Sequence, residues 1–410
     1  MRRLKIISNL FAPDQLGGAS LYTDLAAYFQ QAGWDVQVIT TFSYYPAWKL
    51  IGADKRKLKR VDLINDCEVT RLKMYVPSNP SGLNRMLSDL SFLFSLLCDS
   101  AVRPGKRHAV ITACPMLSQS CFAKLADLKR YGPVVLIVQD IASGAAGSLG
   151  ILKGSGFLRI LEWIEEWCLS ACDVLSSIAP RMVQILQSRM GNRYRVPYVY
   201  TPNWVHKALA DEILIQTRGG CVPRNKRHLF YSGNLGVKQS LHEFVEVFAD
   251  DQLGDWQLEI RGSGAMRKRV LKLSEVCERI AVGLPQSEAK YVTSLLRCSA
   301  CLITQKSGGG DSFFASKILP ALATGTPILV VGDDRTQLAC MVRDFSIGEV
   351  VALSLTAISD VLKKWEENPS LLENYSSNAL RLSREYTREN VLSNYERILE
   401  SIYQDERSIV

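Results

Sequence analysis

Two hydrophobic periodicities alternate along the chain. Short apolar runs at Leu4–Ser8, Val36–Thr40, Val69–Leu72, Ala109–Thr112, Val134–Gln139 and Val174–Ile178 have the length and β-branched content of buried strands. Between them lie segments with apolar residues at helical spacing. Ala19–Ala32 carries Leu21, Leu25, Tyr28, Phe29 and Ala32 on one face and is stopped by Gly33, while Phe157–Cys172 and Pro180–Met190 follow later runs. This alternation predicts a parallel sheet with crossover helices.

A second block repeats the plan. Strand Leu229–Ser232, loop Gly233–Val237 and helix Gln239–Phe248 open it, and strands at Gln257–Arg261, Cys301–Thr304 and Ile328–Val331 follow with helices around them. The polar stretch Lys207–Arg227, with Gly219, Gly220 and Pro223, reads as the connection. After about Ala357 the pattern is helical to the end. The expectation is an α/β chain of two doubly wound domains facing each other, with ligand sites at the C-terminal ends of the strands.

The loops at those strand ends carry the candidate chemistry. Ser307–Asp334 reads as a glycine-rich loop, a short apolar helix stopped at Gly325, and a buried strand after Pro327. A glycine loop feeding a helix N-terminus suits an anion such as a diphosphate, and Gly308–Gly310 would let backbone N–H groups come close. Asn9–Gly18 follows the first strand, and Gly17 and Gly18 open the first long helix, either as an anion site or as a tight turn. It lacks the GxGxxG spacing, and Thr40-Thr41 stand where a ribose-binding acid would end the second strand, so nicotinamide binding is disfavoured. Asp140 ends an apolar strand, where it can orient a sugar hydroxyl, stabilise positive charge or cap a helix. Lys238 follows the Gly233–Asn234–Leu235–Gly236 turn, where a lysine can reach a diphosphate as a point charge or stand as an exposed helix residue. Arg261 ends another strand as a second cation.

Composition narrows the class. Among 410 residues, 47% are hydrophobic and 22% charged, which fits an ordinary globular protein. The net charge of +8 permits an anionic ligand or membrane surface. The basic clusters Lys55–Arg60, Arg224–His228 and Arg267–Lys272 lack interleaved aromatics, so a nucleic-acid groove is not expected. Eleven cysteines stand without a framework; Cys298 and Cys301 form the lone CxxC and read as buried thiols, with a reducing cytoplasm as the expected location. No signal peptide is expected from the Met1 end, and no apolar run reaches the ~20 residues that span a bilayer. Met86–Cys98 comes closest and reads as a buried helix or as a membrane-facing surface helix. The chain has no GxxxxGK[ST], HExxH, GxSxG or DxD pattern, and none of the four histidines stands near a nucleophile motif, so no metal or cofactor is expected.

Taken together, these segments resemble the GT-B glycosyltransferases of the large retaining family 4, and most of all the colanic-acid-type exopolysaccharide glycosyltransferases. The resemblance rests on GGASLYTDLAAYFQQAGWDVQVIT from Gly17, SYYPAW at Ser43–Trp48, VQD at Val138–Asp140, PNWV at Pro202–Val205, YSGNLGVKQSL at Tyr231–Leu241 and SKILPALATGTPILV at Ser316–Val330. It implies an acceptor domain over 1–206, a sugar-nucleotide domain over 207–375, and a helical segment over 376–410 that returns to the first domain. It implies that Lys238 and Arg261 neutralise the diphosphate of a UDP- or GDP-sugar. Asn234, Gly236, Ser307, Gly308, Gly309, Ser316 and Lys317 would lie beside it, with Gly17 and Gly18 closing from the opposite domain. Asp140 would orient a hydroxyl in a retaining, metal-independent transfer to a glycan or lipid-linked acceptor at the inner face of a membrane. One departure stands out. Family members carry two acids eight positions apart for the ribose, and here those positions are Ser312 and Pro320, leaving Asp311 as the substitute. The same departure supports a second reading, a non-catalytic GT-B partner of another transferase.

Overall fold

The computed structural model describes residues 2–15, 18–50, 52–79, 82–99, 105, 108–114, 117–141, 143, 155–220, 222–306, 311 and 313–408. They divide into two compact units, one of residues 2–143, 155–202 and 389–408, the other of residues 203–388.

The first unit is built on β1 (Arg3–Ile7), α1 (Ala19–Gln31), β2 (Asp35–Thr41), β3 (Lys59–Ile64), β4 (Cys67–Leu72), α2 (Gly82–Cys98), β5 (His108–Cys114), α3 (Leu117–Leu125), β6 (Val134–Val138), α4 (Ser155–Leu169), β7 (Val174–Ser177), α5 (Pro180–Met190) and β8 (Tyr198–Tyr200). Its eight strands run in the order β3-β4-β2-β1-β5-β6-β7-β8, all parallel except β3, which pairs antiparallel with β4. β3 and β4 meet through Asn65 and Asp66, both at positive φ (50° and 60°), the backbone that a two-residue hairpin turn requires. The central strands β1, β5 and β6 are largely apolar, with the buried Lys5 interrupting β1, because helices cover both faces of the sheet. Leu4, Ile6, Val110, Ile111, Val135 and Ile137 are accordingly fully buried.

The second unit holds α6 (Lys207–Thr217), β9 (His228–Asn234), α7 (Leu241–Phe248), β10 (Gln257–Ser263), α8 (Arg267–Ser274), β11 (Ile280–Gly283), α9 (Glu288–Arg297), β12 (Ala300–Thr304), α10 (Ile318–Ala323), β13 (Ile328–Val331), α11 (Gln337–Asp344), β14 (Gly348–Val351), α12 (Leu355–Glu367) and α13 (Pro369–Ser383). Its sheet, β11-β10-β9-β12-β13-β14, is parallel throughout. Alternate residues of β9 serve the two faces. Phe230 packs in one apolar cluster with α9, α10 and α11, while Leu229 and Tyr231 pack in the other with α7 and α12.

The last helix, α14 (Arg388–Ser408), returns to the first unit. Tyr395 is buried with its hydroxyl 3.3 Å from Ser176 Oγ of β7. Glu396 accepts hydrogen bonds from Trp34 Nε1 (3.2 Å) and Tyr28 Oη (3.4 Å). The return begins at Glu389 rather than near 376, because α13 is committed to the second unit: Ala379 and Leu382 sit in its core.

Both sheets change winding direction once, between β1 and β5 and between β9 and β12. At such a point the loops leaving two adjacent strands turn in opposite directions and open a crevice at their C-terminal ends. Of the nominated residues, Gly18, Gly236, Lys238, Ser316 and Lys317 fall on the connections leaving β1, β9 and β12 and Asn234 ends β9, whereas Arg261 lies within β10 and Asp140 follows β6.

Candidate functional site

In the second unit the turn after β9 is held by backbone bonds from three sides. Leu235 N donates to Ser263 O (2.9 Å) and Met266 N to Leu235 O (2.8 Å), tying it to the loop after β10. Lys306 N, just past β12, donates to Lys238 O (3.0 Å). Tyr231 Oη donates to Asn234 O (2.8 Å) from beneath. Lys238 is thereby fixed at the switch point, with its ammonium 5.2 Å from the ring centre of Phe313. No carboxylate of the described residues pairs with it.

The other two cations have different surroundings. Arg261 Nε lies 2.6 Å from Glu259 Oε1, two residues back on the same face of β10, so its charge is already compensated. Glu259 also faces His228 Nε2 at 3.7 Å and accepts from Gln286 Nε2 at 3.4 Å. Lys317, just before α10, points its amine inward. The Nζ atom is closed off from solvent, has no hydrogen-bond partner among the described residues, and lies 3.8 Å from the ring centre of Tyr231. Burial pushes its pKa down to about 8, and the Cys301 thiol is a weaker opposing influence. Gly233 makes room for it: a Cβ there would sit 3.1 Å from Nζ, and its φ of 138° is one that side-chain-bearing residues rarely adopt.

Asp311 accepts a 2.6 Å hydrogen bond from Gln337 N at the start of α11, so this carboxylate helps to cap a helix. Pro320 lies in the first turn of α10, where a proline costs no helix hydrogen bond, and its carbonyl accepts from Thr324 N at 3.1 Å. α10 has six residues, so its dipole is short. Ser316 is exposed in the turn before it, and Asn234 is exposed at the end of β9, two residues from the half-buried Gly236. Ser307, Gly308, Gly309, Gly310, Ser312 and Gly17 lie outside the described residues.

In the first unit the loops after β1 and β2 are wired together through a residue that carries no motif. Asp14 is buried and accepts from Ser43 Oγ, from Tyr44 N (3.4 Å) and from Tyr45 N (3.5 Å). Burial raises its pKa, against the opposing pull of those bonds and of Arg71. Arg71, also buried, donates to Asp62 Oδ2 (2.6 Å), Thr41 O (3.1 Å) and Ala12 O. Asn9 bridges the switch point, donating to Tyr44 Oη (3.2 Å) and accepting from Gln119 Nε2 of α3 (3.2 Å). Above this frame stand Tyr44, Tyr45 and Trp48, with the Arg85 guanidinium of α2 at 5.3 Å from the Trp48 ring centre. Gly18 caps α1, and a Cβ there would lie 2.7 Å from the Tyr22 ring, so its glycine has a packing reason beside any anion role. Asp140 lies two residues past β6, half-buried, between Gln139 and the buried Ile141.

α2 departs from an ordinary buried helix. It buries Ser88, Phe92 and Leu96, yet Leu83, Met86, Leu87, Leu90 and Phe94 are 64%, 52%, 45%, 54% and 69% exposed. These positions share one helical face. No helix among the described residues is long and apolar enough to cross a membrane. His206 caps α6, its Nδ1 accepting from Leu209 N at 3.4 Å, and Cys298 and Cys301 are buried free thiols, the latter pushed up to about 12 by burial. Among the described residues no three histidine, cysteine or acidic side chains cluster to hold a metal.

Comparison with known proteins places this geometry. Residues 17–204 match the family described as the glycosyl transferase 4-like domain. The Escherichia coli (strain K12) protein named as the colanic acid biosynthesis glycosyl transferase WcaI is 28% identical over 346 residues, covering 81% of this chain and 84% of that one. Sucrose-phosphate synthase from Thermosynechococcus elongatus superposes with a TM-score of 0.74 at 12% identity, over 99% of this chain and 100% of that one. Anabaena HepE in complex with UDP-glucose gives 0.64 at 12% identity, over 98% and 100%.

Proposed function

We propose, from the premise that this chain is a GT-B glycosyltransferase carrying a glycosyl transferase 4-like domain, that it moves a sugar from a nucleoside diphosphate donor to a hydroxyl acceptor with retention of configuration and without a metal. The process is synthesis of a surface polysaccharide or glycoconjugate, in keeping with the relative named for colanic acid biosynthesis. UDP and GDP sugars are the donors to test first, the former because HepE is described in complex with UDP-glucose.

The observation that carries the reading is Lys238: a cation fixed by its backbone at the β9/β12 switch point with no carboxylate among the described residues to neutralise it. Such a group stabilises the charge that develops on a departing diphosphate. The bond from the sugar's anomeric carbon to the phosphate oxygen breaks, and the acceptor oxygen bonds to that carbon on the same face. The acceptor's proton passes to a phosphate oxygen, and Asp140 orients the hydroxyl. No DxD pair exists in the sequence to clamp the diphosphate through a metal. With Asp311 engaged at α11 and Pro320 in a helix turn, the ribose contacts fall to other groups, backbone ones included.

Titration calorimetry with UDP and GDP tests this. One of them is expected to bind, and Lys238→Ala to weaken that binding roughly 10- to 100-fold, the scale of one charge-assisted contact. Silence of the wild-type chain toward uridine, guanosine and adenosine diphosphates alike would favour the non-catalytic partner.

The acceptor side is read as peripheral to a membrane. The exposed stripe of α2 lies beside basic chain: Lys59 Nζ pairs with Asp99, the residue after α2, at 2.8 Å, and the neighbouring Lys55, Arg56 and Lys57 are exposed or nearly so. Apolar side chains flanked by lysine and arginine suit an anionic lipid surface. The wild-type chain is expected to float with vesicles containing anionic lipid and to lose this with Leu87→Glu/Leu90→Glu. Equal behaviour of the two proteins would remove the reading.

A further inference from the structure

Lys317 is a lysine whose amine is sealed in the second unit with no acceptor among the described residues for any of its protons. Its nearest surroundings are the ring face of Tyr231 on β9, the glycine backbone at Gly233, and the thiol of Cys301 on β12. Of the titratable groups there, both Tyr231 and Cys301 are held neutral by burial, their pKa values pushed upward, so neither compensates an ammonium near neutral pH. Lys238 stands on the adjoining turn as a further cation. The Asp311 carboxylate is engaged at Gln337 and is not among the charges acting on the amine. An aromatic face favours a cation but does not replace its hydration.

We propose that binding of the anionic donor draws a proton onto Lys317, so that nucleotide binding and protonation of this amine are one coupled event. The inference rests on the donor-site reading above and adds a role that the motif alone does not assign. Without ligand the amine loses its proton near pH 8, because burial penalises the charged form. A diphosphate at the β9/β12 switch point brings negative charge toward a buried amine, for which attraction is less screened than in bulk water, and restores the charged form. The sign follows. Below about pH 7 Lys317 is already charged and binding takes up no proton. Above pH 8 it is largely neutral when free and charged when bound, so each nucleotide bound takes up close to one proton and affinity falls as pH rises, approaching tenfold per unit.

Calorimetric titration of the full chain with UDP and with GDP at pH 8.5, in two buffers of different ionisation enthalpy, reads this directly. Both nucleotides have fully ionised phosphates at that pH. The expected result is a buffer-dependent heat equivalent to more than half a proton taken up. Lys317→Arg is expected to bind without buffer dependence, since an arginine is charged throughout, and Lys317→Met to bind more weakly, also without it. Binding with no proton uptake at pH 8.5, or uptake that persists in either variant, overturns the proposal. Absence of any nucleotide binding by the wild-type chain would instead overturn the donor-site reading. The wild-type measurement stands alone should Lys317→Met fail to fold.

Discussion

Asp14 shows how a residue without a motif can organise a site. Three donors converge on its buried carboxylate, and through them the loop after β2 that carries Tyr44, Tyr45 and Trp48 takes its shape. Its pKa in the folded chain is raised above 3.8. The folded state therefore holds the proton more firmly than the unfolded one. The stability this group contributes is full at acid pH and declines as pH rises through the raised value. Asp14→Asn keeps an acceptor for the backbone donors and removes the buried charge, so it is expected to unfold no more easily than wild type at pH 7 and to flatten the decline between pH 4 and 7. Asp14→Ala leaves Ser43 and two N–H groups unsatisfied and is expected to cost about 1–3 kcal/mol. Urea denaturation at pH 4.5 and 7.5 measures both. Sequence reasoning nominated Lys238 from its glycine turn and Lys317 from the SK pair that carries the family resemblance. It had no means of finding Asp14 or Glu259, whose importance comes from neighbours distant in sequence, nor of knowing that Arg261 arrives already paired.

At the scale of elements, a single side chain joins two helix ends in the second unit. Arg224 Nη1 donates to the carbonyls of Leu295 (3.1 Å), Leu296 (3.2 Å) and Cys298 (3.0 Å) at the end of α9. Its Nη2 donates to Thr324 O (3.2 Å) and Gly325 O (2.7 Å) at the end of α10. These are carbonyls that have no partner within their helices, and a cation there also complements both dipoles. Arg224→Met keeps the stem and removes the fork. Its expected cost is roughly 2–4 kcal/mol, seen as a lower urea midpoint with an unchanged slope; a change within experimental error would show that water replaces the guanidinium.

The same scale explains what was legible. The central strands were read from the sequence, while β3, β8, β11 and β14 were not, and these four are the edges of the two sheets. An edge strand is half exposed, so it need not be an apolar run: β3 reads Lys-Arg-Val-Asp-Leu-Ile, with every residue exposed or half-exposed. The Asn65-Asp66 pair was its available signal. α2 was recognised as apolar, but periodicity alone does not say which side of such a helix faces protein.

For the molecule as a whole, strand order and the two switch points decide where chemistry can occur, and the alternation of strand and helix was enough to anticipate that. The path of the last helix was anticipated only by resemblance. Val391, Leu392, Tyr395 and Leu399 bury one face of α14 on the first unit, where Trp34 and Tyr28 already meet Glu396. A chain ending at Arg388 is expected to lose the first unit's stability selectively. Tryptophan fluorescence of Trp34 and hydrogen exchange of β1 and β7 should report early opening, with β9 and β12 still protected. Simultaneous loss of protection in both sheets would contradict the division into two units.

That return has a consequence for the order of events during synthesis. Most of the first unit is made before the second, yet one of its packing partners follows only after some 186 residues of the second unit (203–388) have emerged. At translation rates of roughly 5–20 residues per second, the groove awaiting α14 stays uncovered for about ten to forty seconds. The second unit can mature in that interval while the face of the first that α14 covers is still open.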